Sequence, residues 1–247
     1  MTQQNHLTTQ TFRLLEQFEL HHIFLIEWEN ALLSRLGYPM SVDSSDLIFL
    51  VPDDQLHTVQ KLAADFGYHA ADCKVLPPKY PCEHSSRSLR YIIRDPGNHG
   101  GNINPLNRLV LLPLSWTGIS RDEAVPIGAS ANSLPCTVYT VPVSVACTAL
   151  MRIASREKHN SHLREEIICE LCSVIGYHYF DMSYEGDYYV IPPDDEPLSE
   201  KEVLEMNDAV NKVKCWEMRK GEEWIRSELI KAMTGAISYD DLPFQND

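Results

Sequence analysis

Apolar residues at Phe12, Leu15 and Phe18 recur at helical spacing behind Thr8 and Thr9, which predicts an amphipathic first helix capped by those hydroxyls and ending near His21. His22 to Ile26 is apolar and β-branched enough for a buried strand, and Trp28 to Leu36 reads as a short helix stopped by Gly37. After a loop over Tyr38 to Ser45, Asp46 to Val51 is a continuous apolar run closed by Pro52, the pattern of an inner strand. Asp53 is placed to cap the next helix, in which Leu56, Val59, Ala63 and Phe66 share a face until Gly67. Tyr68 to Pro81 carries no period. Ser88 to Ile93, Arg108 to Leu112 and Thr137 to Val141 read as further strands. Beyond Pro142 the period becomes helical: Val143 to Ser155, Ser161 to Ile175, Ser199 to Met218 and Glu222 to Met233, with an aromatic linker Tyr177 to Tyr189 and an acidic loop Pro192 to Pro197.

The expected class is therefore α+β, a mixed sheet with flanking helices over residues 1–141 followed by a helical region over 142–247 packed against it as one unit. The connection Arg94 to Asn107 holds three glycines, two prolines and four asparagines, so it is either a solvated hairpin tip or a lid.

Composition narrows the partners. The 247 residues carry 21 Lys and Arg against 35 Asp and Glu, and a net charge of −14 repels a phosphate backbone, which argues against nucleic acid. The apolar runs Leu47 to Val51 and Leu109 to Leu112 fall far short of the roughly 20 residues needed to span a bilayer. Met1 to Gln10 is polar, with neither the cationic start nor the apolar stretch of an export signal, so a cytoplasmic protein is expected. Seven cysteines show no pairing framework and are read as reduced thiols, mostly buried.

Familiar chemical motifs are not met. Gly97-Asn98-His99-Gly100-Gly101 lacks the Lys-Ser/Thr and the following helix of a phosphate loop. Cys169 and Cys172 with His159 and His162 suggest zinc, but on a helix His162 and Cys169 stand about 10 Å apart along the axis, so core cysteines are the expectation. Asp194-Asp195-Glu196 with Asn207, Asp208 and Asn211 reads as a solvated acidic loop and a polar helix face. No metal and no cofactor is expected.

The strand Ile23 to Ile26, the helix Trp28-Glu29-Asn30-Ala31-Leu32-Leu33-Ser34-Arg35-Leu36-Gly37 and the strand Asp46-Leu47-Ile48-Phe49-Leu50-Val51-Pro52-Asp53 together resemble the nucleotidyltransferase fold, in particular a group of fungal nucleotidyltransferase-like proteins. Leu111 to Trp116 and Leu163 to Tyr177 extend the resemblance to roughly residues 20–190. In active members a Gly-Gly or Gly-Ser opens the helix so that backbone N–H groups hold triphosphate, and an Asp-x-Asp/Glu on the next strand binds magnesium. Here Trp28 and Glu29 stand at the glycine position, and the partner of Asp46 is Ile48. A bulky indole and an anion oppose phosphate there, and a lone carboxylate holds magnesium weakly.

The resemblance then implies a cleft lined by Trp28, Trp116, Tyr139, Tyr177 and His178, suited to an apolar small molecule. Each aromatic is equally readable as core packing, Glu29 as a capping acid, and Asp46 as a loop cap. The expected activity is a metal- and nucleotide-independent cyclisation, a [4+2] cycloaddition among the candidates, or an isomerisation in fungal natural-product biosynthesis. Such reactions gain roughly 7 to 11 kcal/mol at best from holding the substrate in a reactive shape. Glu29, Ser115 and Arg90 are the candidate catalytic groups, with Asp46 in the binding wall and Ser115, Trp28 or Arg90 donating a hydrogen bond to a carbonyl. The alternatives are a residual nucleotidyltransferase using Asp43, Asp46 and magnesium, and a non-catalytic binding module.

Overall fold

A computed structural model describes residues 9–39, 46–85, 87–93, 107–128, 131–181 and 199–245. The chain is α+β and divides into two compact units, residues 1–35 with 40–142, and residues 36–39 with 143–247.

In the first unit, α1 (Thr9–Leu20) is followed by β1 (Leu25–Glu27), α2 (Asn30–Arg35), β2 (Leu47–Val51), α3 (Leu56–Asp65), β3 (Leu89–Ile93), β4 (Asn107–Pro113), β5 (Val125–Pro126) and β6 (Val138–Thr140). The strands make one mixed sheet in the order β3-β4-β2-β1-β6-β5. β1 pairs antiparallel with β2 and parallel with β6, while β2 pairs parallel with β4. Alternation sorts the two faces. Leu25, Phe49, Val51, Leu109, Leu111, Tyr91 and Val138 join Leu14, Leu15 and Phe18 of α1 and Leu56, Val59 and Leu62 of α3 in one buried core. Ile26, Ile48, Leu50, Val110 and Leu112 take the opposite face and are buried as well.

Several local expectations change. His22 is at φ 52° in the turn after α1, so the first strand starts at Leu25 rather than His22. Helix α2 starts at Asn30 rather than Trp28, because the Trp28 N–H still bonds Ile48 O at 3.0 Å and Glu29 turns the chain at φ 52°. Asp53 does not cap α3, whose N-cap is Gln55; its carboxylate instead accepts the N–H and hydroxyl of Ser115 and pairs with Arg87. The two-residue strand β5 carried no signal of its own. The connection 94–106, the acidic loop 192–197 and Asp43 lie outside the described residues.

The second unit holds α4 (Val143–Arg156), α5 (His162–Tyr179), α6 (Glu200–Lys214) and α7 (Glu223–Met233). Ser161 caps α5 by accepting the Arg164 N–H, and Ser199 forms a capping box with Glu202 on α6. α6 ends at Lys214, short of the expected Met218. α5 runs on through Gly176 to Tyr179, so Tyr177 and His178 are helical rather than in a linker. Residues 36–39 lie against this end: His178 Nδ1 is 3.0 Å from Leu36 O, and the Tyr38 and Tyr177 rings meet edge-on at 4.8 Å. Gly37, at φ 106°, turns there, and a Cβ on it would stand 3.3 Å from the Tyr177 carbonyl oxygen. Arg164, buried, donates from Nη2 to Leu242 O at 2.6 Å and Asp240 O at 3.2 Å, fixing the C-terminal segment.

The cysteines are less buried than expected: Cys82, Cys136 and Cys147 are buried, Cys172 is intermediate, and Cys73, Cys169 and Cys215 are exposed. Cys169 faces solvent because α5 is covered on one side only, so it is no core cysteine. All seven are free thiols.

Candidate functional site

Residues 71–85, which begin inside the segment Tyr68 to Pro81 that had no period and run four residues past it, cross the sheet strand by strand. Ala71 N donates to Arg90 O, and Arg90 on β3 donates from Nη1 to Leu76 O at 3.1 Å and from Nη2 to Cys73 Sγ at 2.9 Å. Next, Pro77 O accepts from Arg108 on β4 at 2.8 Å. Lys79 Nζ and the Tyr80 hydroxyl then reach Asp46, just before β2, at 2.8 and 2.6 Å. Finally Asn30 Nδ2 donates to the Tyr80 oxygen at 2.9 Å, and Cys82 N donates to Glu29 beyond β1 at 3.2 Å. The strap thus follows the sheet order β3, β4, β2, β1.

Its polar contacts form one connected set. Asp46 has a side chain only 4% exposed, and its Oδ1 accepts the Arg108 N–H at 2.8 Å while Oδ2 takes Lys79 and Tyr80. The nearby carboxylate of Glu83, fully buried, accepts Lys79 N, Tyr80 N and both contacts of Arg108 Nη1, at 3.0 and 3.1 Å. Burial pulls the Lys79 ammonium down, but Asp46 and Tyr80 outweigh it and hold the group above its ordinary value. Lys79, Tyr80, Glu83, Arg108 and Asn30 were missed in the sequence. The available signal was Pro77-Pro78-Lys79-Tyr80-Pro81, where prolines on both sides stiffen the dipeptide.

The expected site residues divide between the units: Trp28, Glu29, Asp46, Arg90, Ser115, Trp116 and Tyr139 belong to the first, Tyr177 and His178 to the second. Trp28 and Trp116 meet edge-on with centroids 6.4 Å apart. Tyr139 packs on Phe24 at 4.1 Å. Ser115 spends its hydroxyl on Asp53 at 2.8 Å. Burial raises the Asp53 carboxyl, and the bonds from Ser115 and Arg87 outweigh that and hold it below its ordinary value.

Two expected donors keep an unspent N–H. Trp28 is 2% exposed and Arg90 7%, and neither Trp28 Nε1 nor Arg90 Nε has an acceptor. They share one row of the sheet, since the register continues from Trp28 through Ile48 and Val110 to Arg90. Three strand spacings of about 4.8 Å separate them, roughly 14 Å between backbones. Ile48 and Val110, 3% and 0% exposed, occupy the row between the two.

Among the described residues no three His, Cys, Asp or Glu side chains gather as a metal-binding group, and no helix is long and apolar enough to cross a membrane. Comparison with protein-family models and with curated proteins finds no match.

Proposed function

We propose that this chain is a nucleotidyltransferase-like scaffold that has given up nucleotidyl transfer and acts as a metal- and nucleotide-independent enzyme, cyclising or isomerising an apolar small molecule. The observation that carries this is Trp28 Nε1, a buried donor without an acceptor, in the same sheet row as the buried apolar Ile48 and Val110. Leaving such a group unpaired costs about 1–3 kcal/mol, and a substrate carbonyl would repay it. The bond strengthens as negative charge grows on that oxygen, which lowers the barrier.

The succession β1, α2, β2 supports the scaffold, and so does Glu29, which keeps a left-handed backbone at the position where active members carry glycine. Magnesium does not suit the residues present. Both oxygens of Asp46 already receive hydrogen-bond donors, Lys79 supplies its cation, and Ile48 replaces the partner acid.

Both expected reactions conserve mass. Purified protein incubated with a small-molecule extract of its source cells should consume one compound and produce another of equal mass, and Trp28→Phe should slow this about tenfold or more. Conversion with equal rates in the wild type and Trp28→Phe, binding without any conversion, or nucleotide incorporation from ATP and magnesium would each overturn the proposal.

A further inference from the structure

The protein contains its own standard for how an arginine grips a carboxylate. Arg152 donates from Nε and Nη2 to the two oxygens of Glu222, at 2.9 and 2.6 Å, and Arg35 uses the same two nitrogens on Glu27. This side-on fork matches the carboxylate in spacing and charge. Arg90 presents the same edge differently. Its Nη2 meets only the sulfur of Cys73, and its Nε–H, in a residue 93% buried, has no acceptor. Its other bond is to a neutral carbonyl, Leu76 O. A buried guanidinium is ordinarily compensated by an anion, and no carboxylate of the described residues pairs with this one. Arg164 is the instructive contrast: its Nε is also unpaired, but two carbonyls occupy Nη2.

We propose that the Nε and Nη2 edge of Arg90 binds the carboxylate of a small-molecule ligand, so that the substrate class is an apolar monocarboxylate. Its charged end displaces the Cys73 sulfur, and Cys73 is exposed, so the change begins at an accessible rim. Ile48 and Val110 are 3% and 0% exposed, so the apolar body reaches the row toward Trp28 only when the packing over these two residues opens. The inference rests on the reading of Trp28 as the donor to a bound substrate, and adds the group at the other end.

Octanoate and its neutral counterpart octanamide are the probes, titrated into the full-length protein. Octanoate should bind at least about tenfold more tightly than octanamide, and Arg90→Lys, which keeps the charge and loses the fork, should cost octanoate about tenfold. The guanidinium Nε–H resonance of Arg90 in the wild type should move with octanoate and stay with octanamide, which decides the matter even if Arg90→Lys does not fold. Equal affinities for the two probes, unchanged octanoate affinity in folded Arg90→Lys, or an unmoved Nε–H resonance overturns the proposal. Trp28-dependent conversion without a carboxylate preference removes Arg90 alone. Octanoate binding without any conversion removes the activity alone.

Discussion

Lys79 Nζ stands 2.8 Å from Asp46 Oδ2, so the carboxylate at the head of β2 takes its counter-charge from the strap that covers it. The Asp46 side chain is 4% exposed and that of Lys79 48%, so the pair is screened on one side only. Lys79→Met should cost about 1–2 kcal/mol, and Asp46→Asn, which disturbs Tyr80 and the Arg108 N–H as well, about 2–4 kcal/mol. Urea unfolding with unchanged slope checks both values. A wild-type midpoint for Lys79→Met means that solvent already carries the charge.

Glu29 pairs a left-handed backbone with a carboxylate that accepts the Cys82 N–H. Glu29→Ala loses the bond and keeps the strain, whereas Glu29→Gly loses the bond and relieves it. The glycine variant should therefore be more stable than the alanine variant by about 1 kcal/mol, measured by denaturant midpoint. The opposite order would show that the backbone at this position carries no strain.

In the second unit the Arg152 hydrogen bonds hold the Glu222 carboxyl below its ordinary value of 4.5, against the smaller effect of burial. A depressed folded value means that the pair contributes fully above the unfolded value and is lost as pH falls through the folded one. The wild-type thermal midpoint should drop between about pH 5 and about pH 3, and more than that of Glu222→Gln, which cannot titrate. The pair is partly exposed, so the difference should be small, and parallel profiles would assign the acid loss to other groups.

Arg164 closes the C-terminal segment onto α5 through Leu242 O and Asp240 O. Arg164→Met leaves two carbonyls without that donor and should destabilise by about 1–3 kcal/mol. Amide hydrogen exchange should rise first at Leu242 and Gln245, whose N–H groups bond Tyr239 O and Glu157 O. Uniform acceleration across α4 and α5 instead would mean that Arg164 supports the whole helical unit.

What the sequence revealed was whatever its neighbours in the chain dictate. The apolar run of β2 and the helix starts at Ser161 and Ser199 are local, and each is found close to where the pattern puts it, whereas of the expected stripe of α1 Leu15 and Phe18 are buried and Phe12 is 40% exposed, its place in the core taken by Leu14. What escaped was decided by distant partners. Trp28 starts a helix in the sequence, but Ile48 O holds it to the sheet. Asp53 looks like a cap, but Ser115 from beyond β4 claims its carboxylate. The sequence pattern ends this helix at Ile175, yet α5 runs on through Gly176 into Tyr177 and His178, which meet residues 36–39. Of the candidate site, Trp28, Glu29, Asp46 and Arg90 were visible as residue types, whereas the strap that connects the last three follows no period over most of its length and was read as irregular.

Leu25 lies beside Val138 in the parallel pairing of β1 with β6. A chain emerging from the ribosome therefore cannot complete its central strand until nearly all of the first unit has been made. Until then β1 has one bare edge, open to pairing with a stranger, and nascent chains halted short of β6 are the species most in need of a chaperone.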